Sequence, residues 1–121
     1  MIENNYVKFW IENEILYCIY KSNYEIDIEG AKQIVKDRLI CQNNIKYPAF
    51  ADFKGVKSVS KEARDYLAKE GSFLVKACAI LVSSPVDKIM INFYSKINKP
   101  IIPTKLFTNN EDALKWLQQF K

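Results

Sequence analysis

With 121 residues, 49% of them hydrophobic and 26% charged, the chain has the size and composition of one globular domain, too short for a second core and far from the signature of disorder. Its formal net charge of +4 is carried mostly by lysine, with Arg38 and Arg64 the only arginines. Lysine lacks the planar fork that reads bases or grips phosphate in pairs, so no nucleic-acid partner is expected, and the absence of histidine removes the commonest general base and metal ligand.

Glu3, Asn4, Asn5 and Lys8 break any apolar leader, and no run approaches the ~20 apolar residues of a membrane span, so a cytoplasmic protein is expected. Tyr6 to Ile11 and Ile15 to Tyr20 read as β-strands joined through Glu12, Asn13 and Glu14, a polar connection suited to a hairpin. Ile15, Tyr17 and Ile19 oppose Leu16, Cys18 and Tyr20, so both faces of the second strand are apolar and an interior position follows.

Asp27 caps a predicted helix that runs to about Leu39 with Ile28, Ala31, Ile34, Val35 and Leu39 inward. Cys41 to Lys46 then form a polar loop, and Pro48 gives the apolar run from Tyr47 to Phe53 an extended entry. The link Lys54 to Val59 lies at the carboxyl end of that strand, where open α/β sheets usually carry function. Ser60 opens a second helix that reaches about Glu70, with Ala63, Leu67 and Tyr66 inward and Gly71 just past its end.

Ala77 to Val82 is a continuous apolar run, expected as the central parallel strand. Ser84, Pro85 and Asp87 give a strong helix start, followed by Val86, Ile89, Met90, Phe93 and Ile97 at helical spacing. Ile91 and Tyr94 widen that stripe beyond what one sheet face needs, which fits either a homodimer contact or the wall of a hydrophobic ligand cavity, with Met90, Ile91, Phe93 and Tyr94 the residues in question. Ile101 to Phe107 reads as an edge strand because of Pro103, and Thr108 with Glu111 as the capping box of a final helix bearing Ala113, Leu114, Trp116, Leu117 and Phe120. The fold class is α/β: a single-layer mixed sheet of about five strands with four helices, in the order ββαβαβαβα.

The chemistry-bearing residues are few. Cys18, Cys41 and Cys78 are odd in number and lie in or beside apolar runs, as small buried hydrophobes of a reducing compartment, with no disulfide framework and no zinc spacing. The three glycines make no nucleotide fingerprint, so no cofactor is expected. Asp52 is a strand-end carboxylate without a histidine or a second positioned acid, expected to bond amides of its own link; no catalytic residue is identified and no enzyme is expected. Lys57, Lys61 and Arg64 gather near the start of the second helix, where free amides and the helix dipole favour an anion or an acidic partner. Ser60 reads as the helix cap, and Ser58 or Ser60 as phosphoacceptor is the alternative.

The element order, with its N-terminal hairpin and the link Asp52-Phe53-Lys54-Gly55-Val56, resembles the anti-sigma-factor antagonist fold, known as STAS or SpoIIAA-like. That link, the run from Lys99 to Phe107 and Ala113-Leu114-Lys115-Trp116-Leu117 look like a group of small Bacteroidetes proteins related to the same fold. The resemblance implies a regulatory protein-interaction module acting in signalling, whose partner is a kinase-like anti-sigma factor bound through the link and the start of the second helix. It also implies a serine there as a phosphorylation switch, but the matching position holds Lys61, with Ser60 where the family has aspartate. A looser likeness to SEC14-like proteins implies the alternative, binding of a small hydrophobic or anionic ligand such as a lipid.

Overall fold

The computed structural model describes residues 1–83 and 101–121, and the helix predicted over 85–97, with Met90, Ile91, Phe93 and Tyr94, lies outside the described residues. Strands Val7–Glu12 (β2) and Ile15–Tyr20 (β3) pair antiparallel from Val7 opposite Tyr20 to Glu12 opposite Ile15. Glu12 therefore belongs to the strand, and the connection is the two residues Asn13 and Glu14, at φ 51° and 64°. Two successive positive φ values make a type I′ loop, whose twist matches that of the strands it joins better than a three-residue loop would.

Ile2–Glu3 (β1) adds an outer strand antiparallel to β2, while Tyr47–Asp52 (β5), Val75–Leu81 (β7) and Thr104–Phe107 (β8) continue the sheet in parallel beyond β3. Among the described residues the order β1-β2-β3-β5-β7-β8 thus holds six strands where about five were expected, β3 being interior as its two apolar faces require. β7 is interior too, between β5 and the edge strand β8. Two short strands, Glu25–Ile26 (β4) and Ser58–Val59 (β6), form a separate parallel ladder. Sequence reasoning missed both, since two residues carry no readable alternation.

Helix Ile28–Gln42 (α1) starts where expected, with Asp27 Oδ1 accepting from Gly30 N at 2.8 Å. It runs past Leu39 because nothing breaks it before Asn43 and Asn44, both at positive φ, and the buried Arg38 and Gln42 extend its inward face. Helix Lys61–Lys69 (α2) is capped by Ser60, and the chain continues through Gly71 as a 3-10 turn, Glu70–Ser72. Gly71 therefore ends nothing in the left-handed conformation; that geometry falls on Leu74, at φ 61°. A β-carbon in this region costs roughly 1–2 kcal/mol, and α1 holds the corner in place. Arg38 Nη1 donates to Phe73 O at 2.9 Å and to Gln42 Oε1, while Gln42 Nε2 donates to Leu74 O at 2.7 Å. Helix Asn110–Leu117 (α3) is capped one residue later than the sequence suggests, Asn109 Oδ1 accepting from Asp112 N at 2.9 Å.

The helices cover both faces of the sheet. α1 and α2 pack on the side of Phe9, Cys18, Ala49, Ala51 and Ile80, and α3 lays Ala113 and Leu117 against Ile15, Phe50, Ala77, Ala79 and Leu81. The pairing of β5 with β7 slips by one residue between Tyr47 and Ala49, so Val75 and Cys78 reach the same face although three positions apart. No described helix is long and apolar enough to cross a membrane.

Candidate functional site

The link leaves β5 at Asp52, whose Oδ1 accepts from Lys54 N at 3.0 Å; Lys54 Nζ lies 3.9 Å from Oδ2. The carboxylate thus bonds its own turn, and no cluster of three or more metal-ligating side chains occurs among the described residues. Phe53 and Val56 point inward as anchors, and the segment between Ser22 and Ile26 straps the link down. Asn23 N donates to Gly55 O at 2.8 Å, Lys57 N to Tyr24 O at 3.1 Å and Ser60 N to Ile26 O at 2.9 Å. The β4–β6 ladder is part of this strap. The link is thus pinned along its length by backbone hydrogen bonds with the strap.

Gly55 is the closest approach of the two segments. A β-carbon there would sit 2.8 Å from Ser22 Cα and 2.8 Å from Ser22 Oγ, so backbone would have to move. Gly55→Ala is expected to cost about 1–3 kcal/mol by overpacking and to free the strap. Faster hydrogen exchange at the amides of Asn23 and Lys57 would show it; unchanged exchange would place the steric control elsewhere.

Asp52, Lys57, Ser58, Ser60, Lys61 and Arg64 follow one another along the β5–α2 link and the first turn of α2, and several are already engaged. Ser58 Oγ donates to Glu25 Oε1 at 3.4 Å, and Ser60 Oγ accepts from Ala63 N at 3.1 Å as the cap of α2. Lys61 Nζ pairs with Asp65 Oδ2 at 3.0 Å, and Arg64 Nη1 turns back to Val59 O at 2.9 Å. Lys54 and Lys57 stay exposed on the pinned loop. The three cations around the helix start thus differ: one faces solvent, one is ion-paired, and one braces the link.

A second feature lies beneath, on the α1–α2 face of the sheet. Phe9, Ile34, Val35, Ala51 and Ile80 line an apolar cavity of about 80 Å³ together with Arg38. Arg38 is 5% exposed, and its Nη2 has no hydrogen-bond partner among the described residues. Burial lowers the pKa of its guanidinium from the ordinary value, the Cys18, Tyr20 and Cys78 side chains opposing that. Burial also raises the Cys18 thiol and pushes that of Cys78 up to about 12, so neither offers a thiolate at neutral pH. Sequence reasoning gave Arg38 no role. Its position next to Leu39 on the inward stripe, four residues before Gln42, was the available signal.

A family model for a domain of unknown function, DUF7793, matches residues 9–121. The chain belongs to this family. No curated protein matches this DUF7793 chain. Among solved structures, an uncharacterised DUF3478 protein with a SpoIIAA-like fold from Shewanella loihica PV-4 is 17% identical, with a TM-score of 0.64 over 97% of this chain and 98% of its own. That likeness speaks for the fold alone, and the fold of the DUF7793 chain is SpoIIAA-like, as the sequence resemblance implied. A protein of unknown function from Arthrobacter sp. FB24 is 27% identical over 92% of this chain and 98% of its own, at a TM-score of 0.37, too low to speak for a shared fold.

Proposed function

We propose that the chain is a non-enzymatic cytoplasmic regulatory module that docks a partner protein through the β5–α2 link, in the manner of an anti-sigma-factor antagonist. The observation that supports this most is the strapping of the link, which presents Lys54 and Lys57 on a rigid platform at the carboxyl end of β5. A loop already ordered before binding loses little entropy on docking, which favours recognition. A kinase-like anti-sigma factor is the partner class that the fold resemblance suggests, met here through an acidic patch complementary to the two lysines. By the resemblance to anti-sigma-factor antagonists, Lys61 stands where those proteins carry the phosphorylated serine, so this reading includes no phosphate there.

The test is affinity purification from the protein's own cells with three forms of the chain. A partner of the link is expected to co-purify with the native protein and with Lys46→Glu, a control at the opposite end of β5. The Lys54→Glu/Lys57→Glu form is expected to retain it at least ~10-fold less, because like charge placed in an interface costs several kcal/mol. Equal recovery with all three forms would overturn the assignment of the docking face.

A further inference from the structure

We propose that the cavity between the α1–α2 layer and the sheet is a binding site for a short-chain aliphatic carboxylate, whose head accepts a hydrogen bond from Arg38 Nη2. This inference is independent of the docking face.

A guanidinium buried to 5% exposure normally finds a carboxylate or fills all its donors, because an unpaired buried charge is costly. Arg38 does neither. Its Nη1 is spent on Phe73 O and Gln42 Oε1, which are neutral acceptors, and no described carboxylate forms an ion pair with it. Of the hydroxyls on the wall, Ser72 Oγ donates to Ala68 O and Thr104 Oγ1 to Ile102 O, both at 2.9 Å, while the neutral Tyr20 hydroxyl lies on the same wall as a further polar group. Among the described residues, one charged donor, Arg38 Nη2, is therefore left over beside a largely apolar space.

The surroundings set the ligand class. An anionic head answers the donor and the charge, and the lining of Phe9, Ile34, Val35, Ala51 and Ile80 answers an aliphatic tail. Size sets the length. An apolar cavity of about 150 Å³ admits benzene, and the 80 Å³ here is near half of that, room for a tail of about three to five carbons. Inorganic phosphate would satisfy Arg38 and leave its remaining oxygens against hydrocarbon; a neutral alcohol would fill the space and leave the charge unanswered.

Thermal unfolding of the full chain in pentanoate, 1-pentanol or phosphate, all at matched ionic strength, tests this. Pentanoate is expected to raise Tm in a saturable way, since a ligand that binds only the native state stabilises by mass action. It should also shift the methyl resonances of Ile34, Val35 and Ile80 while leaving those of the exposed Ile40 and Ile45 in place. Arg38→Met is expected to weaken the response about 10–100-fold, the worth of a hydrogen bond to a charged group. Should that variant fail to fold, Ala51→Val keeps Arg38, fills the cavity, and is expected to abolish the response. No saturable rise with pentanoate, an equal rise with 1-pentanol or phosphate, or an undiminished response in Ala51→Val would each overturn the proposal.

Discussion

Replacing Phe9 by alanine is expected to lower the unfolding free energy by about 3–5 kcal/mol, the usual cost of removing a fully buried aromatic ring. Phe9 is 0% exposed and sits on β2, paired with Cys18 of β3 and Ile2 of β1, so its ring is fixed by strands on both sides. It also lines the cavity beside Arg38, and the vacated volume would join a space that already exists. Walls on either side of such a void are β-strands held in register, which limits collapse and pushes the loss toward the upper end. For a domain of this size the midpoint of thermal unfolding should fall by roughly 10–20 °C. Chemical denaturation followed by circular dichroism measures it, and a loss below about 1 kcal/mol would mean that the site relaxes around the deletion.

Leu117→Ala attacks the other face, with an expected loss of about 2–5 kcal/mol. The reasoning differs in one respect. α3 fully buries only Ala113 and Leu117 against the sheet, with Leu114 and Trp116 at the margin, so one side chain carries most of its docking. Native-state hydrogen exchange should therefore accelerate in α3 well before it does in α1, whose contacts with β1, β2, β4 and α2 are untouched. If protection falls evenly across both helices, the two faces of the sheet unfold as one unit and the separation inferred from the packing is wrong.

Much of this fold is legible in the chain because local pattern and tertiary role agree. β3 carries apolar residues on both faces and is interior; Asp27 and Ser60 are side-chain caps where the sequence places them. The departures have local causes. Asn43, rather than the expected end at Leu39, closes α1, since the polar Gln42 is drawn inward to hold Leu74 O. Gly71 looks like a helix terminator, yet the left-handed residue is Leu74, stabilised by contacts from α1 that lie more than thirty positions away. Of the site, the sequence could assemble the residues around the link, but not that Arg64 would bond Val59 O or Lys61 would pair with Asp65. The cavity was illegible for a further reason: an isolated arginine in a helix reads as surface, and only the Phe73 corner shows what half of its fork is used for.

The sheet changes character at β3, antiparallel toward β2 and parallel toward β5, and this sets the order in which a growing chain can bury its surfaces. Residues 7–20 can close their hairpin as soon as they leave the ribosome, since no long loop has to be ordered first. The free edge of β3 must wait for residues 49–52, and that of β7 for residues 104–107. Among the described residues, those that pack on Ile15, Phe50 and Leu81 from outside the sheet, Ala113 and Leu117, are made last. A chain made only as far as β7 thus has the α1–α2 core largely in place while the α3 contacts on the other sheet face are still to come, the state in which chaperones have most to do.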